Sequence, residues 1–196
     1  MFVTFEGIDG SGKTTQAQLL EEWLRGQGRS VVATREPGGT PLGEGIRDLL
    51  LAGPGMSPWA EAALFASARA ELVDKVIRPS IDRGDDVVCD RYIDSSVAYQ
   101  GIARGLGVGR VLELSLAATR GLMSERTFVL LLDPSDARAR QGSPDRIESE
   151  DDEFLRTVDE AYRGLAAIFP QRIVALDGSR PATQLAEQVR EHVRTL

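Results

Sequence analysis

Five short stretches of the chain are apolar on both alternating faces and rich in β-branched residues: 2–6 (FVTFE), 30–34 (SVVAT), 86–90 (DVVCD), 127–133 (TFVLLLD) and 172–176 (RIVAL). Successive side chains of a strand point to opposite faces of its sheet, so runs of this kind predict strands buried on both sides. Between them apolar positions recur at three- and four-residue spacing, which predicts helices near 14–26, 41–52, 57–82, 108–120, 149–168 and 181–195. Pro41, Pro58 and Pro181 stand near three of those starts, where a missing N–H costs little. Strands and helices alternate without a long linker or a repeat. That order predicts an α/β fold, one domain over residues 1–196, with a mainly parallel sheet and crossover helices. Ligands of such sheets bind beyond the carboxyl ends of the strands. Chemistry is therefore expected in the segments that follow each strand.

The segment after the first strand reads GIDGSGKTT, residues 7–15, and runs into a helical pattern at Ala17, Leu19, Leu20, Trp23 and Leu24. This is G-x-x-x-x-G-K-[ST] in the strand–loop–helix context that a phosphate-binding P-loop requires. Gly7, Gly10 and Gly12 have no Cβ, so the backbone can take positive φ and approach phosphate oxygens closely. The N–H groups of Ile8, Asp9, Gly10, Ser11, Gly12, Lys13, Thr14 and Thr15 then surround an anion at a helix N-terminus. Lys13 is placed to reach the β- and γ-phosphates of ATP, and the Thr14 hydroxyl to ligate Mg²⁺. Among 23 basic residues the only lysines are Lys13 and Lys75. A compact ammonium thus stands where a crowded triphosphate favours a point charge over a planar fork.

Composition narrows the function classes. Net charge is −7, which argues against a general nucleic-acid surface. No apolar run approaches membrane-spanning length, and no leader precedes the first strand, so a cytoplasmic protein with no membrane contact is expected. Cys89 is the only cysteine and His192 the only histidine, which leaves no intrachain disulfide and nearly excludes histidine-based catalysis. The chain has no asparagine, hence no N-K-x-D guanine motif of the Ras type.

The remaining polar clusters predict a second substrate. TREPGGTPLG, residues 34–43, places Arg35 on a rigid loop with Pro37 and two glycines, suited to bidentate capture of a phosphate. VVCDRYIDSSVAYQG, residues 87–101, ends a buried strand on Asp90, where a carboxylate can hold Mg²⁺, and continues with Arg91, within reach of an acceptor phosphate. Ser95, Ser96, Tyr99 and Gln100 on the following turn offer groups for a sugar and a base edge; helix capping by a serine and a packed tyrosine would explain them as well. Phe65 and Arg69 are four apart on one helix face. Their spacing alone favours a core phenylalanine beside a snorkelling arginine over a stacked base. PSDARARQGSPDRIE, residues 134–148, predicts a short helix and a mobile loop carrying Arg138, Arg140 and Arg146. Two phosphate charges ~5 Å apart repel by roughly 3 kcal/mol at an effective dielectric of 20, and a closing arginine lid would offset that.

GIDGSGKTT, TREPGG, Phe65–Arg69–Glu71 in LFASARAE, DRYIDSSVAYQG and DRIE follow one another in the order found in thymidylate kinases, and the resemblance covers nearly the whole chain. It implies a P-loop NTPase of the nucleoside-monophosphate-kinase kind, with a five-stranded parallel sheet, helices on both faces and a short lid at about 134–148. It implies transfer of the γ-phosphoryl of ATP to dTMP with Mg²⁺, and a homodimer. By position, Asp9 would lie near the acceptor and its sugar, Arg35 and Arg91 would bind the dTMP phosphate, Phe65 would stack on thymine, and Arg69, Ser96 and Gln100 would contact the base. Tyr99 would fill the space of a 2′-OH. The P-loop interior, Ile8–Ser11, carries no basic residue, so the chain resembles the bacterial members that place a catalytic arginine in the lid; Arg140 is the expected one. Two rivals stay open on the residues themselves: another nucleotide or deoxynucleoside kinase, and a P-loop switch or assembly ATPase that hydrolyses ATP with a partner protein.

Overall fold

The structure, a computed structural model, describes residues 1–140, 145–147 and 149–196. Five strands form one parallel sheet: β1 (Phe2–Glu6), β2 (Val31–Arg35), β3 (Asp86–Asp90), β4 (Arg126–Leu131) and β5 (Ile173–Asp177), in the order β2-β3-β1-β4-β5. Each lies within two residues of its expected span. β1 sits in the centre, paired with β3 on one side and β4 on the other. The order reverses there, which opens a crevice beyond its carboxyl end.

Helices cover both faces. On one, α1 (Lys13–Gly26) and α9 (Ala182–Val193) bury Leu20, Leu24, Leu185 and Val189 against Val3, Phe5 and Phe128. On the other lie α3 (Pro58–Leu72), α6 (Val108–Thr119) and α8 (Asp152–Ile168), with Leu72, Ile77, Val158 and Tyr162 in the core. Each fully buried leucine or isoleucine contributes roughly 1.5–3 kcal/mol. α2 (Pro41–Leu51) starts on Thr40, whose hydroxyl accepts from Gly43 N–H, with Pro41 at the first turn; Ser57 and Pro58 start α3 in the same way. α3 continues through a π-helical stretch, Val73–Ile77, into α4 (Arg78–Asp82), so the expected helix over 57–82 is one rod.

One expectation is corrected. The segment after Arg91 is not a turn but α5 (Ile93–Ser96) followed by a π-helical run, Val97–Ala103. Every residue from Ile93 to Gly101 is buried, so no polar stripe marks a helical period. The short helix expected after residue 133 is α7 (Pro134–Arg140). The expected loop beyond it, 141–144, and Glu148 lie outside the described residues. Among the described residues no helix is long and apolar enough to cross a membrane.

Candidate active site

Gly7, Gly10 and Gly12 all have positive φ, at 135°, 81° and 98°. A Cβ on Gly7 would come 2.5 Å from the Leu130 carbonyl oxygen, and one on Gly10 would come 2.3 Å from that of Ala137. The first α7 turn therefore packs directly on the loop. Lys13 folds back, its Nζ donating to the Ile8 carbonyl at 3.1 Å and to Asp9 Oδ1 at 2.9 Å. Above the loop lies a broad cavity lined by Ser11, Lys13, Thr14 and Thr15 on one side and by Arg140 and the 178–182 segment on the other.

At the loop's end Thr14 Oγ1 donates to Asp90 Oδ2 at 2.5 Å, while Asp90 Oδ1 is buried and has no partner among the described residues. A hydroxyl beside a carboxylate with an unused oxygen fits Mg²⁺, which takes few protein ligands and several phosphate or water oxygens.

A second, smaller cavity opens on the other side of Asp9. Pro37, Phe65, Arg91, Ser96, Tyr99 and Gln100 line it. Arg91 has φ 69°, a left-handed conformation that a side chain rarely adopts. Its N–H is held by the Phe5 carbonyl at 2.9 Å. That turn aims the guanidinium at Asp9 Oδ1 (2.5 Å), the Gly7 carbonyl (3.0 Å) and Ser95 Oγ (3.2 Å). Burial opposes a charge on Asp9, but Arg91 and Lys13 outweigh it and hold the carboxyl well below the ordinary aspartate range. The Arg91 guanidinium lies 5.3 Å from the Tyr99 ring centroid, and the Tyr99 hydroxyl is buried without a partner among the described residues.

Two expected residues sit away from the pocket lining. Arg35 is half-exposed outside the pocket lining, and its guanidinium grips both oxygens of Glu44 at 3.0 and 2.9 Å. Arg69 is 1 % exposed and lies beneath the pocket. It binds Glu36 at 2.7 Å, the Tyr92 carbonyl and Ser96 Oγ at 3.0 Å, and Ser115 Oγ at 3.2 Å. Glu36 and Ser96 line the cavity in its place. The lid arginines divide. Arg138 pairs with Asp152 at the surface, Arg140 donates to the Gly178 carbonyl beside the P-loop cavity, and Arg146 binds Glu61 at 2.8 Å at the pocket's edge.

The sequence offered no signal for several neighbours. Glu61 is 1 % exposed and gathers Gln100, Arg104 and Arg146. Arg47 lines the pocket and donates to the Pro37 carbonyl. Glu6, fully buried, accepts from Tyr92 N–H, from the Ser95 hydroxyl and from the Tyr162 hydroxyl. Burial, and then Asp94, push its carboxyl up to about 7.

The thymidylate kinase family model matches residues 5–189. A thymidylate kinase of Leifsonia xyli is 52 % identical over 97 % of this chain and 92 % of its own length. One of Deinococcus radiodurans is 44 % identical over 96 % of this chain and 94 % of its own. The crystal structure of thymidylate kinase from Ehrlichia chaffeensis superposes with a TM-score of 0.82 at 34 % identity, covering 98 % of each chain.

Proposed function

The chain belongs to the thymidylate kinase family, and we propose that it passes the γ-phosphoryl of ATP to dTMP across Asp9, giving ADP and dTDP. The observation that carries the mechanism is that Asp9 lines both cavities and joins their cations, Lys13 on one side and Arg91 on the other. A donor and an acceptor bound in the two cavities meet there.

The P-loop cavity takes ATP, with the loop amides and Lys13 on the β- and γ-phosphates. Arg91, helped by Arg35 at the mouth, takes the dTMP phosphate in exchange for Asp9 and Glu44. Phe65 stacks on thymine, and Ser96 and Gln100 meet its edge. Tyr99 fills the floor where a ribose 2′-OH would stand. Arg69 serves this pocket from below, by fixing Glu36 and Ser96. Of the three lid arginines, Arg140 is the one beside the P-loop cavity, which supports its assignment to the transferred phosphoryl. Mg²⁺ held by Thr14 and Asp90 would neutralise charge on the donor phosphates. The acceptor phosphate is already mostly ionised at neutral pH, with a second pKa near ~6, so no strong general base is needed. Catalysis is by positioning and electrostatics.

Residues 1–196 form one kinase domain on this view, with its lid at about 134–148, acting in the cytoplasm with neither nucleic acid nor a membrane as partner. Leu42, Leu49, Trp59 and Val108 are exposed on α2, α3 and the start of α6, helices that pack together. A second copy of the chain would cover them, giving a homodimer; a single-chain mass in sedimentation would remove that part. A switch that only hydrolyses ATP would have no use for the second cavity.

The test is ADP formation from Mg-ATP with dTMP, dUMP, UMP, CMP and AMP offered separately. Turnover with dTMP, with dUMP weaker, is the expected result. Turnover confined to another monophosphate would discard the thymine pocket, and ADP release indifferent to any acceptor would discard phosphoryl transfer.

A further inference from the structure

Gln100 lies in the π-helical run Val97–Ala103 and lines the acceptor pocket, yet it is only 2 % exposed. A side-chain amide has two ways to face a ligand, related by a half-turn, which exchange an acceptor for a donor. Here one way is excluded from behind. Gln100 Nε2 donates to Glu61 Oε1 at 2.9 Å. The same carboxylate takes Arg146 at 2.8 Å on Oε2, and Arg104 at 3.3 Å on each oxygen. Burial alone would raise the Glu61 pKa, but the hydrogen bonds from Gln100, Arg146 and Arg104 outweigh it and hold the carboxyl below the ordinary glutamate value. An ionised carboxylate only accepts. Turning the amide over would set Gln100 Oε1 against Glu61 Oε1, two buried acceptors with no proton between them.

We propose that Glu61 is a positioning residue for base selection: by holding Gln100 Nε2 it fixes Oε1 as the acceptor presented to the pyrimidine. Thymine and uracil carry a proton on N3 and satisfy that acceptor. Cytosine carries a lone pair there and leaves two acceptors facing. Glu61 thus reads the keto against the amino pyrimidine without touching either. The two arginines keep it charged, and Arg146 ties it to the backbone carbonyl of Leu50 at 2.7 Å, at the end of α2. The inference rests on the placement of the base against Gln100 proposed above.

The experiment compares kcat/KM for dTMP and for dCMP in the parent, in Glu61→Gln and in Gln100→Ala, with KM for ATP as the internal control. A glutamine at 61 can donate as well as accept, so the Gln100 amide is released to turn. The dTMP-to-dCMP ratio is expected to fall by roughly tenfold or more in Glu61→Gln, since a polar site discriminates by the partners it leaves unpaired. KM for ATP stays at the parent value. A merely structural role would lower both acceptors together and leave the ratio alone, which overturns the proposal. A ratio lost in Gln100→Ala but kept in Glu61→Gln overturns it too and leaves the base contact standing; a ratio kept in both removes the base contact as well. Glu61→Asp keeps the charge toward both arginines and withdraws the acceptor by one methylene. If Glu61→Gln does not fold, the same fall is expected of Glu61→Asp, and an unchanged ratio there overturns the proposal.

Discussion

The two cavities on either side of Asp9 are built by opposite means. The anion-binding wall of the P-loop side is made of consecutive residues, Asp9 to Gln16, and its attraction for anions comes mainly from backbone N–H groups at the start of α1. Those dipoles need no counter-charge while the site is empty of phosphate. The acceptor side is assembled from residues far apart in the chain, and four cations in and around it are matched by carboxylates: Arg91 with Asp9, Arg35 with Glu44, Arg69 with Glu36, Arg146 with Glu61. A buried arginine without a partner would cost several kcal/mol, so the pocket keeps internal carboxylates in that role. On the proposed reading, a phosphate meets mainly backbone N–H groups in the first site, with Lys13 released from Asp9, and in the second it replaces a carboxylate.

The largest effect should come from cutting the link between the two. Lys13→Ala removes the only side-chain cation of the P-loop, and kcat should fall by roughly 10²–10³-fold, as when one preorganised donor of a developing charge is lost. Stability should change little, because Asp9 keeps Arg91 as its partner. Initial rates and a thermal melt read both quantities; near-normal turnover in a folded variant would sink the assignment of Lys13.

Below the acceptor side lies a group that the donor side has no counterpart for. The Glu6 carboxyl is pushed up from 4.5 to about 7, chiefly by burial and then by Asp94. The folded chain therefore holds a proton that the unfolded chain releases at lower pH. That contribution is complete below the unfolded value and is lost as pH rises through about 7. It amounts to something on the order of 3 kcal/mol. Urea unfolding across this window should show stability falling with pH in the parent and a flatter course in Glu6→Gln. Parallel curves would mean that Glu6 is charged throughout.

The same contrast explains what could be read from the sequence. The P-loop was legible because its function is carried by contiguous residues with one backbone requirement, and the three glycines have the positive φ that requirement demands. The strands were legible because a two-sided buried strand has a short, continuous apolar run. The π-helical run was not, since burial on every side from Ile93 to Gly101 erases periodicity. Arg69 shows the limit of motif logic. The spacing to Phe65 placed it on the correct helix face, but only the fold shows that Glu36 arrives there, from the end of β2, to take up its charge. Glu61 could not be found at all, because Gln100, Arg104 and Arg146 converge on it from distant parts of the chain.

The smallest effect should come from the acceptor cation that is least enclosed. Arg35 and Glu44 are both about half exposed, so their pair contributes between roughly 0 and 1 kcal/mol and Arg35→Ala should leave the melting temperature nearly unchanged. If Arg35 changes partner when dTMP binds, the variant loses one charge-assisted hydrogen bond to phosphate, and KM for dTMP should rise about tenfold while KM for ATP stays put. Glu44→Gln tests the exchange from the other side. It weakens the competing partner, so KM for dTMP should fall, even though Glu44 also accepts from Gly39 N–H at 2.8 Å and steadies the loop. A lower KM in Glu44→Gln and a higher one in Arg35→Ala together mean that carboxylate and phosphate compete for one guanidinium. If KM rises in both, the pair serves as a fixed strut of the loop, and the acceptor phosphate depends on Arg91 alone.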